Sequence, residues 1–217
     1  IASTANYCKK HGLDARQDYW QNKDAEIIHF IGKDIIYFHF LFWPAMLMGV
    51  DFNVPTNLVV HGFLTVNGEK MSKSRGTFFT AKEFLQKYPN PEYLRYYYAS
   101  MLSKKMSDID LNFDDFQKEI NNELVANLSN FCYRTISFVN KNFDSEIKEI
   151  DEDKKVIEEI KEKVEKIKEF YSDFNFKMAL DEIMKISAIG NRYLQEKEPW
   201  KMEDKEEAQK VLGLCVN

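Results

Sequence analysis

Cysteine is scarce in this 217-residue chain, and so is any excess of positive charge. The three cysteines, Cys8, Cys132 and Cys215, are an odd number and lie too far apart for a CxxC metal knuckle. They argue against a disulfide framework and favour a reducing, cytoplasmic environment. The formal net charge is -5, so a polyanionic partner would have to be bound by a local patch rather than by a basic surface as a whole.

Long uninterrupted apolar runs are missing as well. The most apolar segment, residues 35–50, is interrupted by His39 and Pro44 and is shorter than the roughly 20 residues that span a bilayer. It predicts a buried helix and no membrane partner. Residues 1–7 have neither an initiator Met nor the features of a signal peptide, and residues 211–217 stop within an apolar helical pattern. We therefore expect that the natural protein extends in both directions.

Two short apolar runs in the first third of the chain resemble buried strands. Residues 27–31 precede Gly32, residues 58–62 are rich in β-branched side chains, and the apolar helical segment lies between them. This order predicts a βαβ unit with parallel strands. Ligands of such sheets bind at the carboxyl ends of the strands.

A hairpin is predicted next. Residues 64–66 and 69–71 flank Asn67-Gly68, the dipeptide that best accepts the positive φ angles of a two-residue turn. Thr80 and Glu83 have the spacing of a capping box, which places a helix start there and leaves residues 72–77 as a loop.

The second half of the chain changes to helical periodicity. Asn90 precedes Pro91 and predicts the start of one helix, and Asn112 is the predicted cap of a longer one. The apolar stripe of that longer helix recurs at three- and four-residue steps: Phe113, Phe116, Ile120, Leu124, Leu128, Phe131, Thr135 and Phe138. A helix bundle is predicted, and the mixed charges of residues 146–169 are typical of a solvated helix face.

The predicted loop concentrates positive charge. Lys70, Lys73 and Arg75 fall within seven residues, and no acidic residue follows before Glu83. A solvated surface loop would explain the charge alone. A loop that follows a strand of a parallel sheet could instead bring two ammonium groups to phosphate oxygens and stabilise charge that grows during nucleotidyl transfer.

Residues 70–74 read KMSKS, and this motif resembles the second signature of class I aminoacyl-tRNA synthetases. The segments HFIGKDIIYFHFLFWPAML at 29–47 and HGFLTVNGEKMSKSRGT at 61–77 resemble the methionyl family, as do EYLRYYYAS, DIDLN and NRYLQEKEPW further on. The resemblance covers nearly the whole chain. It implies an α/β plus all-α fold class, in which the second half of a Rossmann-like catalytic domain is followed by an α-helical anticodon-binding bundle.

That resemblance also implies a division of the chain and its ligands. Residues 1–78 would end the catalytic domain, residues 79–111 would form a connective helical segment, and residues 112–217 would be the bundle. Methionine, ATP with Mg²⁺ and tRNA(Met) would be the ligands. The sequence indicates no particular oligomeric state.

Site residues follow from the same resemblance, position by position. Lys70 and Lys73 would be catalytic, because the lysines of this motif stabilise the attack of the amino-acid carboxylate on the α-phosphate. The implied ATP-binding set is Gly32, Asp34, His61, Leu64, Lys70, Met71, Ser72 and Lys73. A glycine at a strand end permits close approach and a carboxylate can accept from ribose hydroxyls, although Asp34 could instead pair with Lys33 or cap a helix.

Two further sets are implied by the family. Ile35, His39 and Trp43, spaced by four residues, would line a methionine pocket, with Trp43 as its wall; core packing is the ordinary alternative. Asn130, Arg134 and Trp200 would read the anticodon, because single-stranded RNA loops are recognised by stacking and by hydrogen bonds to base edges. Asn130 and Arg134 would point to solvent together. A helix-surface amide, a salt-bridged arginine and a tryptophan that fills the bundle end are the structural alternatives.

Some family features are missing from the chain. No His-Ile-Gly-His type signature and no zinc-binding insertion occurs in these 217 residues, and no metal site is predicted. We therefore expect the chain alone to be inactive, since part of a site does not orient both substrates. The competing interpretations are another class I synthetase, such as that for cysteine or a branched-chain amino acid, a non-catalytic tRNA-binding helical module, and a plain structural bundle.

Overall fold

The computed structural model describes residues 1–72, 80–148, 150 and 153–217. The chain separates into two compact units. Unit 1 comprises Ile1–Leu64 and Lys104–Asp108, and unit 2 comprises Thr65–Ser103 and Ile109–Asn217.

Unit 1 contains the predicted parallel strand pair. Strand β1 (Ile28–Gly32) pairs with β2 (Asn57–His61), and the register sets Gly32 opposite His61. Both strands therefore end at the same edge, as the βαβ prediction requires. The other elements of the unit are α1 (Ala2–His11), a π-helical turn (Arg16–Trp20), a 3₁₀ turn (Lys33–Ile35), a second π-helical turn (Phe38–Phe42) and α2 (Trp43–Met48).

The segment 35–50 is helical, but the prediction that it is buried was wrong. Leu47 is buried, whereas the side chains of Tyr37 and Met48 are 75% and 70% exposed. The described part of unit 1 covers this segment on one side: His39 contacts His29 of β1, and Trp43 packs edge-on against Trp20. An all-round apolar sequence thus does not ensure burial, because burial depends on a second layer of structure.

The predicted hairpin and its turn are confirmed. Strand β3 (Leu64–Val66) pairs antiparallel with β4 (Glu69–Lys70), and β5 (Ile109–Leu111) completes a sheet with the order β4-β3-β5. Asn67 and Gly68 have φ angles of 49° and 77°. These positive angles are the reason that Asn-Gly favours this turn.

The helix starts of unit 2 are the ones that the capping residues predict. Thr80 and Glu83 form a capping box, Asn90 accepts from the N–H of Glu92, and Asn112 accepts from two N–H groups. The helical elements are α3 (Ala81–Lys87), α4 (Pro91–Met101), α5 (Phe113–Glu119), a π-helical stretch (Ile120–Ser129), α6 (Asn130–Asn142), α7 (Lys154–Ser172), α8 (Phe176–Lys197), a 3₁₀ turn (Pro199–Lys201) and α9 (Lys205–Val216).

The core of the bundle forms where α6, α8 and α9 meet. Val139, Leu194 and Leu212 are buried together there, which confirms the helix-bundle prediction. On α7, lysine–glutamate pairs such as Lys166 with Glu162 lie at the surface, as expected for a solvated face. In the described parts of the chain, no helix has the length and apolarity needed to cross a bilayer.

Candidate functional site

The shared edge of β1 and β2 carries three of the predicted nucleotide-binding residues. The Asp34 carboxylate folds back over the end of β1, so that a Cβ added to Gly32 would lie 2.6 Å from Asp34 Oδ1. Among the described residues Asp34 forms no ion pair; its neighbour Lys33 pairs instead with Asp108, with 2.6 Å between Nζ and Oδ1. The Asp34–Lys33 pairing alternative is therefore wrong, and the Asp34 carboxylate can accept hydrogen bonds from a ligand.

His61 ends β2 and is half-buried. Its Nδ1 lies 3.2 Å from the carbonyl oxygen of Gly62, and because a carbonyl only accepts, Nδ1 is the protonated nitrogen in this contact. This hydrogen bond orients the ring and leaves Nε2 for another partner.

The predicted methionine-pocket residues Ile35, His39 and Trp43 are all half-buried, on the covered side of their segment. The Nδ1 atoms of His39 and His29 are 3.0 Å apart, so one ring donates and the other accepts. Burial and the neighbouring His39 lower the pKa of His29 below its ordinary value. The lowered pKa favours the neutral form of His29, and the contact couples its tautomer to that of His39.

In unit 2 the hairpin carries the first residues of the KMSKS motif. Lys70 is exposed at the end of β4, Met71 and Ser72 are half-buried, and Lys73 lies outside the described residues. Leu64, the predicted ATP-binding residue at the start of β3, belongs to unit 1 and is half-buried as well. One oxygen of Asp110 accepts from the Thr65 hydroxyl at 2.6 Å and from the Gly68 N–H at 2.8 Å. Asp110 thereby fixes the hairpin from which Lys70 projects.

A second site lies in the helix bundle. The guanidinium carbon of Arg134 is 5.3 Å from the ring centroid of Trp200, which is 39% exposed. Both residues line a cavity of about 330 Å³ whose wall also includes Lys141, Pro199 and Leu194. An arginine and a tryptophan that stack at an open apolar cavity can receive a planar, negatively charged ligand.

Asn130 is exposed on α6, as predicted, but it is not among the residues that line this cavity. Arg134 is only half-exposed, so the expectation that both would point freely to solvent holds for Asn130 alone. Trp200 covers the guanidinium, and Arg134 Nη2 donates to Gln195 Oε1 at 3.2 Å.

Sequence reasoning missed Lys141 and Gln195. Lys141 follows Arg134 by seven residues, which places both on one helix face, and this spacing could have indicated it. Gln195 precedes Trp200 by only five residues, but no local pattern relates it to Arg134 on another helix.

Clusters of three or more His, Cys, Asp or Glu side chains placed to hold a metal ion do not occur among the residues that the structure describes.

Two family models match successive parts of the chain. Residues 1–136 match the family model of tRNA synthetases class I (M), and residues 145–217 match the anticodon binding domain of methionyl tRNA ligase. The chain belongs to the class I (M) family of tRNA synthetases. This membership decides against the enzymes for cysteine and branched-chain amino acids and against a plain structural bundle.

Several similar proteins are named as methionine-specific enzymes. The methionine–tRNA ligase of Thiobacillus denitrificans is 46% identical over 204 residues, which are 93% of this chain and 29% of that protein. The chain thus spans less than a third of this curated relative. The Mycobacterium tuberculosis methionyl-tRNA synthetase in complex with methionyl-adenylate is 26% identical, with a TM-score of 0.80 over 98% of this chain and 43% of that one. Its apo form, at 23% identity and a TM-score of 0.72 over 89% of this chain and 38% of that one, shows the shared fold.

Proposed function

We propose that this chain contributes part of the ATP site, part of the methionine pocket and the anticodon reader of a cytoplasmic methionine–tRNA ligase. The complete enzyme would use ATP with Mg²⁺ to form methionyl-adenylate and would transfer the methionyl group to tRNA(Met). The division into residues 1–78, 79–111 and 112–217 belongs to this proposal.

In unit 1, the edge at Gly32 and His61 supports nucleotide binding. The missing side chain of Gly32 leaves room for the Asp34 carboxylate, which can accept from ribose hydroxyls, and His61 presents an oriented imidazole for a phosphate. Leu64, in β3, would add backbone contacts to adenine.

In unit 2, Lys70 would stabilise the activation reaction together with Lys73. The methionine carboxylate attacks the α-phosphorus, the bond to the β-phosphate oxygen breaks, and pyrophosphate leaves with the electron pair. Negative charge grows on the phosphate oxygens in this step, and ammonium groups placed beside them lower the barrier. Met71 and Ser72 would complete the phosphate-binding segment.

The methionine pocket would use the covered side of the helical segment in unit 1. Ile35 and Trp43 supply apolar surface, and His39 supplies a polar group that His29 orients. Apolar shape alone discriminates about 1–3 kcal/mol per methylene, so a polar contact to the thioether sulfur adds selectivity.

In the bundle, the contact between Arg134 and Trp200 is the observation that best supports tRNA recognition. An exposed Trp face receives an unstacked base, while Arg134 and Asn130 hydrogen-bond to base edges and Lys141 lies within reach of a phosphate. One such stacking contact is worth about 1–3 kcal/mol, which is roughly tenfold or more in affinity.

Substitution of Trp200 in the complete enzyme tests this proposal. Trp200→Ala should raise the KM for tRNA(Met) in aminoacylation about tenfold or more, because one base loses its stacking partner. Methionine-dependent ATP–pyrophosphate exchange should stay near the parent rate, since that reaction needs no anticodon. Tyr133→Ala is a matched control, as Tyr133 is an aromatic residue of α6 that is 73% exposed and does not line the cavity.

Equal losses in aminoacylation and exchange would contradict an anticodon role for Trp200. A similar loss in Tyr133→Ala would assign the effect to the surface of α6 in general rather than to the cavity.

A non-catalytic tRNA-binding role is the second candidate, favoured by the fact that Arg134, Lys141 and Trp200 line one cavity of the bundle. Exchange by the complete protein distinguishes the two roles, because both make the same prediction for the 217-residue chain. We expect it to bind tRNA(Met) more tightly than an anticodon-altered tRNA in gel shifts and to catalyse no pyrophosphate exchange. If the complete protein also catalysed no exchange while binding persisted, the non-catalytic role would be correct.

A further inference from the structure

The side chain of Asp108 connects the ends of both parallel strands in unit 1. One carboxylate oxygen, Oδ1, accepts from Lys33 Nζ at 2.6 Å and from the backbone N–H of Phe63 at 2.8 Å. Lys33 directly follows β1, and Phe63 lies two residues beyond the end of β2. The ammonium group and then this N–H hold the pKa of Asp108 below its ordinary value, so the carboxylate is charged in both contacts.

The backbone around Asp108 fits closely against Gly62. The Gly62 N–H donates to the carbonyl oxygen of Ser107 at 3.2 Å, and a Cβ at Gly62 would collide with that oxygen and with Asp108. Lys33 Nζ also lies 4.5 Å from the ring centroid of Phe63. These contacts define the positions of the Lys33 side chain and of the 62–63 peptide together.

Asp108 also determines which carboxylate Lys33 neutralises. Asp34 is the sequence neighbour of Lys33, and its carboxylate lies over the end of β1 without an ion-pair partner among the described residues. If Asp108 were removed, the Lys33 ammonium would lose its carboxylate partner, and we expect it to turn to the carboxylate of its sequence neighbour Asp34. An Asp34 carboxylate held by Lys33 would be a poorer acceptor for another ligand.

We propose that Asp108 is a positioning residue of the ATP site: it holds Lys33 away from Asp34 and holds the peptide that follows His61. The inference rests on the proposed function, because it takes Asp34 and His61 as the residues that contact ATP. In this proposal Asp108 binds neither substrate directly. Its effect on catalysis is transmitted through the two groups that it binds.

Exchange kinetics of the complete enzyme test the inference. Asp108→Ala should raise the KM for ATP roughly tenfold, since misplacement of a binding group weakens a site. The KM for methionine should change less than about twofold. Asp108→Asn can still accept from the Phe63 N–H and releases Lys33 only in part, so its KM for ATP should lie between those of the parent and Asp108→Ala.

A second substitution separates positioning from a general structural role. In Asp108→Ala/Lys33→Met the group that would compete for Asp34 is absent, so the KM for ATP should fall back at least threefold from that of Asp108→Ala. A merely structural defect would not recover on the loss of a second side chain. Asp115→Ala is the matched control, because Asp115 is an exposed aspartate beside Lys118 in α5 and should leave all constants unchanged.

Three results would overturn the inference: an unchanged KM for ATP in Asp108→Ala, equal rises for ATP and methionine, or no recovery in the double variant. Each presupposes that the parent enzyme catalyses methionine-dependent exchange. If the parent fails to do so, the proposed function falls first, and the two failures are thereby distinguishable.

Discussion

Gly190 in α8 lies directly against the ring of Phe131 in α6, so Gly190→Ala should destabilise the helix bundle. A Cβ at residue 190 would lie 2.8 Å from Cε2 and 2.9 Å from Cε1 of Phe131, and closer still to Cζ. Real Cβ atoms do not approach ring carbons this closely, so the ring or one helix has to move. The substitution therefore perturbs the packing of the helix that carries Arg134 against the helix that leads to Trp200.

The magnitude follows from two opposing terms. Alanine is favoured over glycine within a helix by about 1 kcal/mol. Overpacking of a side chain against its neighbours costs about 1–3 kcal/mol. Because three ring atoms are involved, we take the cost near the upper half of that range, which leaves a net loss of about 1 kcal/mol or more. For a domain of this size, that loss lowers the Tm by about 3 °C.

Thermal and denaturant unfolding followed by far-UV circular dichroism would measure this loss. The double variant Gly190→Ala/Phe131→Leu should lose less stability than the sum of the single variants, because leucine lacks the outer ring atoms that the new Cβ meets. Glu196→Ala is a control for substitution to alanine at an exposed position of the same helix and should be nearly neutral. If Gly190→Ala proved as stable as the parent, or more stable, the close contact with Phe131 would be refuted.

Two further predictions concern the remaining sites. Burial and His39 lower the pKa of His29, so the unfolded form binds a proton more readily than the folded form; the free energy of unfolding should be full above pH 6.5 and should decrease as the pH falls below it. Urea titrations should show a smaller pH dependence for His29→Gln than for the parent. Identical profiles would contradict the coupling between His29 protonation and stability. Gly68→Ala should cost about 1 kcal/mol of unfolding free energy, because residue 68 has a φ of 77°. Asn67→Gly, which accepts a positive φ, should be nearly neutral, and equal effects of both would argue against the turn geometry.

Local features of the fold were predictable from short stretches of sequence. Asn67-Gly68 determined a turn, and Thr80 with Glu83 determined a helix start, because these residues satisfy their own backbone geometry or neighbouring N–H groups. The parallel pairing of β1 with β2 was predictable for a similar reason, since a helical connection leaves few other arrangements.

The candidate sites were predicted less completely. Arg134 and Trp200 were each identified through the family motif, but their mutual contact joins residues that are 66 positions apart in the sequence. Asp108 was noted only as part of a matching segment, and its contacts with Lys33 and Phe63 have no signature in spacing. The exposure of the segment 35–50 was mispredicted because apolarity reports what a side chain favours, not whether another layer is present to cover it.

The sequence by itself determined the helix caps, the hairpin, the period of each element and the motifs that indicate the family, since all of these depend on neighbouring residues. The tertiary structure decided that one carboxylate serves both strand ends, that Arg134 stacks on Trp200, and that Lys33 pairs with Asp108 rather than with its neighbour Asp34. The physical reason is distance: ion pairs, stacking and burial act over a few ångströms of space, and folding alone determines which distant residues are brought that close.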